Sequence, residues 1–476
     1  MVDTIFENLE DFKQNIAILD KNGDQATYSE LAAASDALVS DLIEGQLVFF
    51  LGKNDITSIF TYIGLMRRNL CIVMINVNLE KQKLKGLLVS YKPKYIFGPS
   101  EYLQTLEASR KLWSAEGYSL IEFLDGARLS LSPNLKMLLP TSGSTGNPLF
   151  VRLSTKNLES NSQSITKYLS LDENARAITT LPMNYSYGIS IIHSHLTAGG
   201  SIYLNDSSVL AREFWNNLSK SEATHFAGVP FTYESLRSFK NKLIEMPGLS
   251  VFTQAGGRLA PEIVSEFAIE CSNLGKLFYV MYGQTEATAR MTYLPPELAS
   301  SLPESIGIPI PGGTIELWDD SDQVISQNNV LGELVYKGEN VSLGYSQSIE
   351  DLSLGDQNMG VLKTGDIAVK DDNGYLYIKG RKNRFAKIFG VRINLMDLEL
   401  YFGHMGYEIV CIEINGALCV ITLKREVEFL VLRDLIATYL DIHKSAIKVR
   451  FLDELPRNES GKIKYADLES IWMSTT

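Results

Sequence analysis

Cysteine is scarce in this sequence. The 476 residues hold four, Cys71, Cys271, Cys411 and Cys419, scattered and without a CxxC pair. That argues against a disulfide framework and for a reduced intracellular protein. Long basic runs are missing too, and the net charge is 44 − 56 = −12. A nucleic-acid partner held through its phosphates is therefore not expected. No apolar stretch reaches membrane-spanning length: Leu70 to Val77 is broken at once by Asn78 and Glu80. The opening segment Met1 to Asn8 is acidic and lacks the apolar core of a signal peptide. The expectation is a cytoplasmic protein with no membrane insertion. Two catalytic signatures, HExxH and the GxSxG elbow, do not occur.

What is there reads as an ordinary globular chain, 45% hydrophobic and 21% charged, long enough for two or more domains. From Leu47 onward, apolar strand-like runs alternate with helical patterns. Leu47–Leu51, Cys71–Ile75 and Lys94–Phe97 read as strands, with helices at Ser58–Arg67 and Leu84–Tyr91 between them. A second series has strands at Ala177–Leu181, Ser201–Leu204, His225–Val229 and Val251–Gln254. This βαβ rhythm implies mostly parallel sheets covered by helices. After about Gly307, short strands separated by Gly- and Asn-rich turns suggest a small β subdomain, with a hairpin across Asp371-Asp-Asn-Gly374. Past Arg381, helices at Leu395–Phe402 and Phe429–Leu440 and strands at Tyr407–Ile414, Ala417–Leu423 and Lys448–Leu452 suggest an α+β module. The expected fold class is α/β: a large N-terminal domain (1–381) of two stacked α/β subdomains plus a small β subdomain, followed by a small mobile α+β domain (382–476).

The run Thr141-Ser142-Gly143-Ser144-Thr145-Gly146-Asn-Pro148 follows apolar Met137–Pro140. Its glycines let backbone approach an anion, and its hydroxyls add donors beside exposed N–H groups. Such a concavity suits phosphate oxygens, although a Gly/Ser/Thr loop can equally be plain surface. It is not the GxxxxGK[ST] loop, because no Lys follows the second Gly.

Four further segments follow in order: Tyr282-Gly283-Gln-Thr285-Glu286; Gly332-Glu-Leu to Gly344-Tyr345; Thr364-Gly-Asp366 through Gly380-Arg381 to Lys387-Ile-Phe-Gly390; and Pro456-Arg-Asn-Glu-Ser-Gly-Lys462. Together with the loop, they resemble the AMP-forming adenylating superfamily: acyl- and aryl-CoA synthetases, stand-alone adenylation domains and beetle-type luciferases. The resemblance spans most of the chain, and implies ATP, Mg²⁺ and CoA or phosphopantetheine as cofactors. It places Tyr282 against adenine, Thr285 on the α-phosphate and Glu286 on Mg²⁺. Asp366, with Arg381 nearby, would accept both ribose hydroxyls. Gly256-Gly257-Arg258 looks like the adenine-side loop. Lys462 would reach the reacting carboxylate and α-phosphate from a mobile C-terminal domain. Lys387 to Gly390 would enter the site for thioester formation, with Asn383 at the hinge.

Leu181-Pro-Met-Asn-Tyr185-Ser-Tyr-Gly188 matches the acid-pocket segment, with Tyr185 where many acyl-CoA synthetases carry His. Amino-acid-activating relatives place an Asp in this region, and none is present here. An unpaired ammonium would be costly in a buried pocket, which favours a fatty or aromatic acid with an uncharged tail. His193 and His195 point to different faces of a helix, so packing is expected rather than shared metal ligation.

One departure stands out. The family usually follows its loop with Pro-Lys-Gly, whereas Pro148 is followed here by Leu149-Phe-Val-Arg152. Either Arg152 or another cation substitutes, or pyrophosphate is held weakly, or the chain is a degenerate adenylate binder. The expected function is an AMP-forming acyl-CoA ligase acting on a small-molecule carboxylic acid. Its alternative is an enzyme loading a phosphopantetheinyl carrier protein or an amine acceptor.

Overall fold

Leu47–Phe50 and Cys71–Met74 are buried at every position. Such continuous apolar runs suit strands covered on both faces, as in parallel sheets. In the computed structural model they are central neighbours. The structure describes residues 6–104, 106, 109–124, 131–141, 149–388, 391–423, 429–457 and 463–474. By contacts the chain divides into two units: residues 1–314 with 336–362, and residues 315–335 with 363–476.

The first unit contains two large sheets. One orders its strands Gly344–Ser346, Phe150–Ser154, Leu135–Pro140, Cys71–Met74, Leu47–Phe50, Tyr95–Pro99, Tyr118–Phe123 and Ser109–Ala115. Its middle four strands are parallel and its flanking pairs antiparallel. Leu47, Phe49, Val73, Ile96, Leu138 and Phe150 meet in one apolar cluster beside it. The other sheet runs parallel from Ile16–Asp20 through Ser201–Leu204, Arg176–Ile178, His225–Gly228 and Val251–Gln254 to Leu277–Tyr282. Antiparallel strands close both of its edges. The parallel centres match the expected βαβ rhythm. The hairpin of Ser109–Ala115 and Tyr118–Phe123 was not expected; its mixed sequence gives a poor alternation signal.

Local chemistry fixes the helices that frame the site. Ser154 ends the strand after the Gly/Ser/Thr loop and caps helix Thr155–Tyr168 in a reciprocal box with Asn157. The Asn157 amide also donates to the carbonyls of Glu339 and Val341, at 2.7 Å each. Helix Ser186–Thr197 is buried along nearly its whole length.

Strands Thr314–Trp318, Gly332–Lys337, Val361–Lys370 and Leu376–Arg381, most of whose residues fall in the second unit, form a sheet in that order. Grouped by contacts, most of this small sheet falls with the C-terminal residues. Ile409–Ile414 and Ala417–Thr422 form the expected hairpin, and Ile447–Phe451 joins it in parallel. Helix Phe429–Leu440 occurs as expected. Lys382–Arg384 is a short 3₁₀ turn. A mobile domain hinged at Asn383 stays a proposal.

Candidate active site

The Gly/Ser/Thr loop links two antiparallel strands, with Pro140 opposite Phe150. The Thr141 N–H donates to the Leu149 carbonyl at 2.9 Å, closing the base of the loop. Ser142, Gly143, Ser144, Thr145 and Gly146 lie outside the described residues, as do Gly390 and Lys462; of Lys387 only the strand position is described.

Tyr282 ends a parallel strand, and the chain then turns through a 3₁₀ segment, Thr285–Ala287. Gly283 is required there, because a Cβ would collide with the Ala289 carbonyl. Asn340 fastens the turn by donating to the carbonyls of Ala287 (2.8 Å) and Arg290 (3.0 Å). Thr285 and Glu286 are half-buried at the strand end, where ligands bind in open α/β sheets. The Tyr345 hydroxyl donates to Glu286 Oε1 at 2.9 Å. Burial, reinforced by the Glu286 charge, pushes the Tyr345 phenol well above its usual value, so it stays a donor.

Ser186 opens the expected acid-pocket helix, and its hydroxyl lies 3.1 Å from that of Thr285. The structure thus joins the pocket segment to the Tyr282–Glu286 motif. Tyr185 reaches the glycine loop: a Cβ on Gly256 would meet its hydroxyl. Gln254 supports that loop by donating to the Gly257 carbonyl at 2.9 Å. Gly188 has a packing reason, since a Cβ would strike the Pro182 carbonyl.

A family model described as AMP-binding enzyme matches residues 5–346. The chain belongs to the AMP-binding enzyme family. Oxalate–CoA ligase of Arabidopsis thaliana is 28% identical over 349 residues, covering 69% of this chain and 66% of that ligase. A probable CoA ligase, CCL9, of Humulus lupulus is 25% identical over 82% of this chain and 78% of its own length. D-alanine–D-alanyl carrier protein ligase of Listeria monocytogenes serotype 4a is 23% identical, covering 79% and 78%. Among solved structures, ATP-bound MatB of Rhodopseudomonas palustris superposes with TM-score 0.77 at 20% identity, covering 99% of each chain. o-Succinylbenzoate CoA synthetase of Bacillus subtilis with its acyl-adenylate gives 0.75 at 20% identity, covering 98% of each chain. These structures share the fold: mixed α/β with several sheets.

Arg152 of this AMP-binding enzyme does not replace the missing loop lysine. It is 0% exposed. Its guanidinium donates to the carbonyls of Leu343 (2.7 Å), Tyr345 (3.0 Å), Leu354 (2.6 Å) and Gly355 (3.2 Å) and to Gln357 Oε1 (2.8 Å). Of the readings open for that departure, the one in which Arg152 itself serves phosphate does not fit: its donors are spent tying the strand pair Phe150–Ser154 and Gly344–Ser346 to the following loop. Gly344, with φ of 116°, is glycine because a Cβ would collide with Gln357 and crowd Arg152.

The histidines behave as packed groups. His193 Nε2 lies 2.6 Å from the Tyr62 hydroxyl, and His195 Nδ1 donates to the Ile191 carbonyl at 2.9 Å. Burial lowers their pKa values to about 3 and about 4. Among the described residues no group of three or more His, Cys, Asp or Glu could hold a metal. Glu286 is the carboxylate proposed for Mg²⁺, an ion that commonly takes one or two carboxylates and completes its shell with phosphates and water. Among the described residues no helix is long and apolar enough to cross a membrane.

In the second unit, Asp366 and Arg381 are cross-strand partners. Arg381 Nε donates to Asp366 Oδ1 at 2.8 Å, and Asp366 is 2% exposed while the arginine side chain is 54% exposed. The pairing fixes the orientation of the carboxylate.

Sequence reasoning assigned no role to Arg290, Ser186 or the Tyr345 hydroxyl. Arg290 had one readable signal, a lone charge two residues before the strand Thr292–Leu294.

Proposed function

We propose that this AMP-binding enzyme activates a small carboxylic acid with ATP and passes the acyl group to CoA. The observation carrying the reading is the Ser186–Thr285 contact, which brings the acid-pocket helix against the residue assigned to the α-phosphate. An oxygen of the substrate carboxylate attacks the α-phosphorus, and the bond to the pyrophosphate oxygen breaks. The acyl carbon of the acyl-AMP is then attacked by a thiolate, and AMP leaves with the electrons of the broken C–O bond. Splitting one difficult condensation into two displacements from a good leaving group is the gain.

Thr285 would donate to an α-phosphate oxygen, and Tyr345 would keep the Glu286 carboxylate aimed. Mg²⁺, held by Glu286, would neutralise phosphate charge. From the sequence resemblance, Asp366 is assigned the ribose hydroxyls and Lys462 the charge that builds as carboxylate meets phosphate. Transfer to a phosphopantetheinyl carrier protein is the second reading, supported by the D-alanyl carrier protein ligases among the relatives. AMP formation in the presence of acid and ATP decides between them. Dependence on CoA supports the first reading; release only with a holo carrier protein reverses the choice.

A further inference from the structure

Arg290 is 1% exposed, and among the described residues no carboxylate lies within ion-pair distance of it. Its Nη1 donates to the Tyr168 hydroxyl at 3.1 Å and contacts Met281 Sδ at 2.7 Å. Its Nη2 donates to Ser190 Oγ at 3.2 Å. Its guanidinium carbon stands 4.2 Å from the centroid of the Tyr187 ring, and its Nε has no partner. Every neighbour is neutral. A buried guanidinium satisfied only by neutral groups, with one donor unused, is unfavourable unless something anionic completes it.

Its position says what that is. Tyr187 and Ser190 lie within the first turns of helix Ser186–Thr197, whose first residue touches Thr285. Arg290 follows Thr285 by five residues, after a backbone turn with positive φ at Thr288 (56°) and Ala289 (97°). That conformation is strained for residues bearing a Cβ. It is held because the amides of Asn161 and Asn340 both donate to the Arg290 carbonyl. The chain is forced into this turn, and the turn delivers a cation to the acid-binding helix. Arg290 lines a narrow cavity together with His195, His225 and Thr253, and both histidine Nε2 atoms are buried without partners.

We infer that the acid carries a second anionic group, a carboxylate, which pairs with Arg290 while the first is activated; the substrate is a dicarboxylic acid. This rests on the adenylation reading, and it replaces the uncharged tail expected from the sequence. The missing Asp and the present Arg both disfavour an ammonium, but only a second anion answers the guanidinium.

The test compares linear and aromatic diacids with their own monomethyl esters, which keep the length and remove one charge. Acid-dependent pyrophosphate release is measured for wild type and Arg290→Met. Calorimetric binding of the same pairs, with a non-hydrolysable ATP analogue present, supplies a readout independent of turnover. Wild type should prefer the diacid by on the order of 100-fold, the scale of leaving a buried charge unpaired. Arg290→Met should abolish that preference. Equal use of diacid and ester by wild type, or a preference unchanged in Arg290→Met, overturns the inference. If Arg290→Met fails to fold, Arg290→Lys, expected to keep part of the preference, and the wild-type pair decide. Pyrophosphate release with monoacids alone leaves adenylation standing and removes the dicarboxylate. Arg290-dependent diacid binding without pyrophosphate release does the reverse. Neither binding nor turnover with any pair overturns both.

Discussion

Replacing Arg152 by methionine should destabilise the first unit rather than weaken nucleotide binding. Five acceptors lie within 2.6–3.2 Å of the guanidinium, four of them main-chain carbonyls. They do not all lose equally. The Leu343 carbonyl also accepts the Gln357 N–H at 3.0 Å, so it keeps a partner. Leu354, Gly355 and Gln357 are exposed, and water can replace part of what they lose. Hydrogen bonds to a charged group contribute about 1.5–3 kcal/mol each, and removal of the buried cation returns some desolvation energy. A net loss of about 2–4 kcal/mol follows. Urea denaturation monitored by fluorescence should show it. Arg152→Lys keeps the charge but cannot span five acceptors with one ammonium, and should lose nearly as much. If Arg152→Lys matched wild type in stability while Arg152→Met selectively raised the KM for ATP, the structural role would be wrong and a phosphate role restored.

Tyr345→Phe removes the donor on Glu286 and should raise the Mg²⁺ concentration needed for pyrophosphate release by about tenfold; an unchanged Mg²⁺ titration would sink that role. Burial lowers His193 and His195 to about 3 and about 4, so below the usual value near 6.5 the unfolded chain binds protons that the folded chain refuses. Stability should fall as pH drops through that window, by about 1.4 kcal/mol per histidine at about pH 5.5, and a midpoint flat between about pH 7 and 5.5 would contradict it. Gly188→Ala places a Cβ against the Pro182 carbonyl and should cost about 1–3 kcal/mol in thermal or urea unfolding. Lys462→Ala should slow adenylation by about 10²–10³-fold while sparing thioester formation from supplied acyl-AMP; equal loss in both steps would remove the assigned role.

Much of the fold was legible where burial dictates residue type. Leu47–Phe50 and Cys71–Met74 are apolar because both faces are covered, and length together with flanking turns distinguished them from helix. The hairpin across Asn415-Gly416 was readable from its turn, with both residues at positive φ. Antiparallel edges such as Ser109–Ala115 were hidden because edge strands need not be apolar. In the site, glycines and the Tyr282–Glu286 motif showed through, since close backbone approach restricts what can stand there. Arg152 and Arg290 did not. A buried arginine is written like an exposed one, and only its partners separate the carbonyl-tied Arg152 from the anion-seeking Arg290.

Acid-dependent pyrophosphate release with ATP and Mg²⁺, over a panel of mono- and dicarboxylic acids, tests the central claim most directly. Release is expected to require both acid and Mg²⁺. No release with any acid in the panel, at nucleotide concentrations where ATP binding is demonstrated, would contradict it and leave an adenylate binder.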